Sequence, residues 1–450
     1  MRSNFGKIGV ILATAGSAVG LGNIWRFPTM AGEDGGSAFI IIYALCTLFL
    51  GLPGMISEFI VGRHGESNAF HAYSYITGKK WWGIVGGMGV LCSSMILGFY
   101  SVVAGWCVYY LFAALMGQVS GDSAYIADFF VALKDDPVRP ALMGIAFVLL
   151  TYYVVVRGVK GGIEKASNIL MPMLFLLLLV LVVASCSLPG ASAGIEFLLK
   201  PDFSKVSSRV ILDAMGQAFF SLSLGTACLC TYASYFSKQT NLAVSSVQII
   251  FIDMFIAILA GLMIFPAAFS VGVQPDSGPS LIFITLPNVF QQAFGSMPIA
   301  GYVISLLFFA LLALAALTST ISMHEIGTAF LSEEVNISRR KAAIMITAMC
   351  CVFSVLCSWS LGAFPQLSIA GKNLFDCFDF VTGQIMLPVG GFLTCVIVGW
   401  LVPSKVIRDE FTNNGTVNHK LFSIFIWVVR IVCPIGILAI FLNQLGVFSK

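Results

Sequence analysis

The groups of this chain that could do chemistry sit inside its most apolar stretches. AGSAVGLGNIWRFP (residues 15–28) places Asn23 and Arg26 close to Gly16, Gly20 and Gly22. AMGQAFFSLSLGTACLCTYASY (214–235) gathers small hydroxyl residues and a glycine around Ser221–Thr226. IIFIDMFIAILAG (249–261) holds a single acid, Asp253, and ALTSTIS (316–322) is rich in hydroxyls. Carbonyls, an amide oxygen, hydroxyls and a carboxylate are hard oxygen ligands that suit a desolvated cation. The N-termini of half-helices suit a carboxylate. Both offers require helices that stop at mid-depth.

The rest of the chain supplies the setting. It has 450 residues, 58% hydrophobic and 10% charged, with a mean hydropathy of +0.95. Runs of roughly 20 apolar residues recur along it, each long enough to cross about 30 Å of hydrocarbon. The expected class is an all-α polytopic membrane protein with eleven spans near 8–31, 37–62, 83–116, 140–157, 164–187, 209–235, 242–270, 298–330, 339–359, 373–402 and 421–445. Hydrophilic connections fall near 117–138, 189–208 and 271–297, the last containing LIFITLPNVFQQAF (281–294), a hairpin too short to span. A net charge of +3 gives no sign of nucleic-acid binding. The twelve cysteines lie largely inside apolar runs and read as small hydrophobes, and the four histidines lack metal-ligand spacing. Placing the N-terminus inside gives fifteen Lys and Arg to the cytoplasmic segments against seven outside, so the C-terminus is expected outside.

The first and sixth spans break alike and run in opposite directions. Matched interruptions in two inverted halves point to a midplane binding site in a secondary transporter. Gly16 and Gly20 also form a helix-packing pattern, but packing explains neither Asn23, Arg26 nor Pro28. Charges at membrane depth are costly and mark functional paths. Asp376 and Asp379 in NLFDCFDF (373–380) are placed to face Arg26 across a vestibule. Glu58 and Arg430 read as structural. Gly162 and Pro172 in GIEKASNILMP (162–172) mark a segment that could unwind at the start of span five.

AGSAVGLGNIWRFP, the GGSAF that follows (35–39), FFSLSLG of span six and ALTST of span eight together resemble the neurotransmitter:sodium symporters. The likeness runs through essentially the whole chain and is closest to eleven-span bacterial amino acid transporters. It implies a five-plus-five inverted repeat with discontinuous helices 1 and 6: residues 1–187 and 206–402 as halves, and 421–445 as an extra helix. It implies two sodium ions. One would be held by Ala18, Asn23, Ser221, Asp253 and the substrate carboxylate, the other by Gly16, Val19, Ala315, Thr318 and Ser319. Substrate contacts carry over to Ala18, Gly20, Gly22, Ile96, Tyr100, Phe220, Ser221, Ser223, Thr226, Ser319 and Met323.

Monoamine members carry an aspartate at the Gly20 position, so glycine there implies an α-amino acid. Ile96, Met323 and Thr226 imply an apolar side chain, aliphatic or aromatic. Tyr43, Gln217 and Ser221 keep the shape of the chloride site, but Asp253 itself brings the negative charge, so no chloride is expected. The gates implied are Arg26 with Asp379 outside, and Arg2, Phe5, Ser234, Tyr235 and Glu333 inside, with Phe5 in place of the usual tryptophan. The expected protein is a sodium-coupled importer of hydrophobic amino acids in the bacterial inner membrane, and not an enzyme. An amino acid sensor or a channel-like protein are the alternatives. His324-Glu325, the one candidate acid–base pair, is placed near the inner gate.

Overall fold

The computed structural model describes residues 5–273, 281–294, 297–369, 371–416, 420–444 and 447. Helices dominate because most segments are long apolar runs bounded by capping residues. Asn68, Asp122, Ser207, Asn241, Ser338 and Asn373 each accept a backbone N–H at a helix start through the side chain. Among the described residues, the only strands are Ser368–Ile369 (β1) and Lys372–Asn373 (β2), which pair antiparallel.

The chain begins with α1 (Lys7–Ala18) and α2 (Gly22–Glu33), bent 54° at their junction. Then follow α3 (Ser37–Gly65), α4 (Ala69–Thr77), α5 (Lys80–Leu115), α6 (Ser123–Asp135), α7 (Arg139–Val155) and α8 (Val159–Cys186). The second half carries α9 (Ser192–Leu199), α10 (Ser208–Ser221), α11 (Cys228–Ala233), α12 (Leu242–Ser270) and α13 (Leu281–Phe294). It ends with α14 (Pro298–Glu334), α15 (Arg339–Leu361), α16 (Leu374–Leu401), α17 (Ser404–Phe411) and α18 (Leu421–Asn443). The eleven expected spans correspond to α1/α2, α3, α5, α7, α8, α10/α11, α12, α14, α15, α16 and α18. Eight are unbroken helices long and apolar enough to cross a bilayer. The first is a bent pair, α7 is shorter, and the sixth is split by residues 222–227.

Four short helices, α4, α6, α9 and α17, lie in the connections between the expected spans, and the segment 281–294, read as a hairpin, is the single helix α13. The connection near 117–138 contains α6, which meets α7 at 74°. Its apolar side packs Phe130 edge-on to Trp106 of α5 and stacks it on Phe283 of α13. The connection near 189–208 contains α9, whose Phe197 packs on Phe265 and Phe269 of α12. Both are short amphipathic elements whose polar faces hid them within hydrophilic stretches.

Burial orders the bundle. The most apolar window of α5 is 83% buried, against 33% for α8 and α18, so α5 is a central pillar and the other two lie at the rim. α14 and α15 both pack along α5. The start of α3 depends on Gly36, at φ 65°, where a Cβ would press on the Phe197 carbonyl oxygen at 2.5 Å.

At the end of the bundle where the chain begins, Arg63 of α3 donates through Nε to Glu410 Oε2 of α17 at 2.6 Å, and His64 Nδ1 lies 3.3 Å from Glu410 Oε1. Burial alone would raise the Glu410 carboxyl, but His64 and Arg63 outweigh it and hold it at about 2. A depressed folded-state value gives stability that is present above the ordinary value of 4.5 and lost as pH falls toward 2. Wild type is therefore expected to melt above Glu410→Gln at pH 7, with the gap closing in melts run between pH 4.5 and 3. A gap that persists undiminished at pH 3 would contradict the assignment.

Candidate functional site

The centre of the bundle is built from the two broken helices. α1 ends as Val19 turns extended, at ψ 110°, and the chain resumes helix through the wide turn Gly22–Arg26. In the sixth span the break holds two non-glycine residues at positive φ, Ser223 at 54° and Ala227 at 63°, with Gly225 at 82° between them. Such conformations cost energy and persist where their surroundings hold them.

Here the holding contacts are visible. Glu58 Oε1 of α3 accepts the Gly225 N–H at 2.7 Å, and Ser93 Oγ of α5 donates to the Thr226 carbonyl at 2.8 Å. Thr226 Oγ1 accepts the Cys228 N–H at 3.1 Å, which starts α11. Glu58 thus braces the break, which gives its structural reading a definite partner. The signal was available: a carboxylate at membrane depth needs donors, and an interrupted helix is where free amides occur. Arg430 stays structural, donating through Nε to the Gly399 carbonyl at 2.5 Å.

Around the first break, oxygen atoms converge in two clusters. In one, Asn23 Nδ2 donates to Asp253 Oδ1 at 2.7 Å, and its Oδ1 accepts the Gly20 N–H at 3.1 Å. Ser221 Oγ lies 2.8 Å from Asp253 Oδ2, and Tyr43 OH donates to the same oxygen at 3.1 Å. Asn23 and Asp253 are fully buried and Ser221 nearly so. A buried carboxylate amid amide and hydroxyl oxygens is the donor chemistry that a hard monovalent cation needs. In the other cluster, Thr318 Oγ1 lies 3.3 Å and Ser319 Oγ 3.4 Å from the Val19 carbonyl oxygen, and Thr318 also meets the Ala315 carbonyl at 2.9 Å. A Cβ at Gly16 would stand 3.5 Å from Thr318 Cβ, so that glycine borders the same cluster.

Between the clusters lies a cavity of about 60 Å³. Ala18, Gly20, Gly22, Ile96, Tyr100, Phe220, Ser221, Ser223, Thr226, Ser319 and Met323 all line it, which gathers every substrate-contact position read from the sequence. Ser17, Phe99 and Leu387 line it as well. Tyr100 OH accepts the Leu21 N–H at 3.1 Å. A Cβ on Gly20 would overlap Ser319 Oγ and stand 3.0 Å from Tyr100 OH, so only glycine leaves this corner free.

The gate positions are only partly joined. On the outer side Arg26 lies over the Phe220 ring, its Cζ 4.2 Å from the centroid. Among the described residues it makes no ion pair within 4 Å with Asp379, though the two opposite charges attract across the gap. On the inner side Phe5 donates its N–H to the Tyr235 carbonyl at 3.0 Å and packs edge-on to Tyr232 and Tyr235. Ser234 lies one residue before, its Oγ donating to the Thr231 carbonyl at 2.6 Å. Tyr235 OH donates to Glu325 at 2.6 Å, and Arg339 pairs with the same carboxylate. Glu333 accepts from Asn68 N–H at 2.7 Å and Ser67 Oγ at 2.9 Å. Arg2 lies outside the described residues. Gly162 belongs to the wide first turn of α8, Val159–Glu164, and Pro172 sits inside that helix.

A multi-pass bundle with two interrupted helices flanking one central cavity is the architecture of a secondary transporter. The sequence pattern of the Sodium:neurotransmitter symporter family matches residues 2–125 and 138–450, and the chain belongs to that family. It is therefore a sodium-dependent transporter and not an enzyme. It is 38% identical over 445 residues to the uncharacterized sodium-dependent transporter YhdH of Bacillus subtilis, covering 98% of this chain and 97% of that one. It is 28% identical to the sodium-dependent serotonin transporter of Drosophila melanogaster, covering 97% of this chain and 75% of that one. Its fold is similar to the crystal structure of MhsT in complex with L-phenylalanine, with a TM-score of 0.89, 37% identity, and coverage of 99% and 100% of the two chains.

The Glu58 brace gives a test. Glu58→Leu leaves the Gly225 N–H buried without its acceptor, at a cost of about 1–3 kcal/mol, whereas Glu58→Gln keeps an acceptor oxygen. Thermal melts of the purified variants should rank wild type above Gln and Gln above Leu. Equal melting of the Gln and Leu variants would contradict the brace.

Proposed function

We propose that this protein is a symporter that uses sodium to import hydrophobic L-amino acids, aliphatic or aromatic, by alternating access. The observation that carries this reading is the corner at Gly20. Next to it Tyr100 OH, Ser319 and the freed backbone of the first break supply polar groups to one end of the cavity, with no acidic side chain among its lining residues to hold a bare amine. An α-amino acid brings both charges itself: its carboxylate suits the half-helix N-terminus at Gly20–Gly22, and its ammonium suits freed carbonyls. Ile96, Phe99, Met323 and Leu387 give the cavity apolar lining, in keeping with a hydrophobic side chain. The likeness to MhsT, solved with L-phenylalanine, supports the same substrate class.

Two sodium ions are assigned to the two oxygen clusters, one at Asn23, Ser221 and Asp253 with the Ala18 carbonyl, the other at Gly16, Val19, Ala315, Thr318 and Ser319. The substrate carboxylate completes the first, which couples ion to amino acid. With the Asp253 carboxylate already beside Tyr43 and Ser221, a chloride ion there would meet like charge, so transport runs without chloride. The two halves, 1–187 and 206–402, rock against each other. The N-terminus faces the cytoplasm of a bacterial cell and the C-terminus the opposite side.

Uptake into proteoliposomes across a panel of amino acids tests the reading. Leucine, phenylalanine and related substrates are expected to accumulate with a sodium gradient and not with potassium, and replacing chloride by gluconate should leave the rate unchanged. Sodium-independent uptake would overturn the coupling, and a large loss in gluconate would overturn chloride independence. Thr318→Ala is expected to raise the sodium concentration for half-maximal uptake at least about tenfold, since one hydrogen-bonding or ligand group is worth about 1.4 kcal/mol or more in such a site.

A further inference from the structure

Residues on α16 carry no polar signal toward the cavity, yet one of them reaches it. The central cavity is bordered by a smaller hollow of about 10 Å³ between α10, α16 and α18, lined by Arg26, Gly216, Phe219, Gly383, Ile437 and Ile440 among others. Only Phe220 and Leu387 line both spaces. These two side chains are therefore the partition between the cavity and this hollow.

The two halves of the partition are held differently. Phe220 belongs to the broken sixth span and rests between Arg26 and Gly22, where a Cβ would stand 3.2 Å from its ring. Leu387 sits where the wide turn Phe380–Met386 gives way to regular helix, followed at once by Pro388. Its carbonyl oxygen presses on Gly225, which has no room for a Cβ in that direction. One turn on, a Cβ at Gly390 would stand 3.0 Å from Gly225 Cα, and one at Gly391 would stand 2.8 Å from the Phe219 ring. This glycine seam puts the backbone of α16 directly on the break. With no side chain in between to give way, it fixes the height of Leu387 above the cavity. Leu387 is only 4% exposed.

On the reading proposed above, the substrate's α-carbon end is anchored at the Gly20 corner beside Tyr100 and Ser319, and its side chain meets apolar lining from Ile96, Phe99, Met323 and Leu387. Building on the amino acid reading above, we propose that Leu387 is the roof that sets the largest side chain this transporter accepts. The glycine seam ties Leu387 to the sixth-span break by backbone contact, so its place on the cavity wall does not depend on a flexible side chain. Truncating it should admit bulkier side chains, and enlarging it should exclude them.

The test uses the full-length protein in proteoliposomes and the ratio of kcat/KM for tryptophan to that for valine, which is independent of the amount of active protein. Leu387→Ala is expected to raise that ratio at least about tenfold and Leu387→Phe to lower it by a similar factor, since one methylene in an apolar pocket is worth about 10- to 200-fold. At saturating amino acid the sodium concentration for half-maximal uptake should not move, because Leu387 supplies no oxygen to either cluster. If a variant binds but does not transport, competition binding of the two amino acids in sodium buffer reads the same ratio. If a variant does not fold, Leu387→Val and Leu387→Met report smaller shifts in the same directions. Ratios within twofold of wild type in all folded variants would overturn the roof. Failure of wild type to take up any amino acid with sodium would instead overturn the functional reading.

Discussion

A backbone amide or carbonyl inside a bilayer must find a partner, because the surrounding hydrocarbon offers none. This chain leaves such groups open at two places, after Ala18 and after Ser221, and the rest of the structure answers that choice. Glu58 and Ser93 satisfy part of the sixth-span break from neighbouring helices. Asn23 turns its side chain back onto the Gly20 amide. The groups left over face one cavity and two oxygen clusters, so the requirement that threatens a membrane helix is what assembles a site. Energetically the breaks are affordable only because α3, α5, α12 and α14 surround them closely.

That packing also explains why glycine recurs at the centre. Gly20 opens the corner between Ser319 and Tyr100, and Gly225 lets α16 lie against the sixth-span break. Each substitutes close backbone approach for side-chain contact, and so fixes distances that flexible side chains would leave loose. Ser223 and Ala227 show the opposite device, non-glycine residues held at positive φ by the hydrogen bonds around them. A segment held under strain by a few named contacts is suited to change shape when those contacts are exchanged for a ligand.

Much of this was legible in the residues. Gly16–Asn23, Ser221–Thr226, Asp253 and Thr318–Ser319 are polar or small groups in apolar company, and that contrast marks them whatever the tertiary arrangement. The structure brings all of them together. What stayed hidden lacked contrast or depended on three dimensions. Leu387 is one apolar residue among many in its span, and only the fold shows that it reaches the cavity. Glu58 stood out as a charge, but its partner, the Gly225 amide, lies 167 residues away in sequence. Arg26 and Asp379 have complementary charge and attract, but the direct contact that Arg26 makes is with the Phe220 ring, which its spacing in sequence did not announce. Helices α6 and α9 escaped notice because amphipathic segments outside the bilayer carry no long apolar run.

The central claim is that ion and amino acid occupy one continuous site, with the substrate carboxylate sharing a cation with Asn23 and Asp253. Thermodynamic reciprocity makes this measurable at equilibrium, apart from any transport. Titration of phenylalanine into purified protein across a series of sodium concentrations, with potassium keeping ionic strength constant, should show affinity rising steeply with sodium. Titration of sodium with and without phenylalanine should show the same coupling factor from the other side. Phenylalanine binding equally well in sodium and in potassium would contradict the shared site.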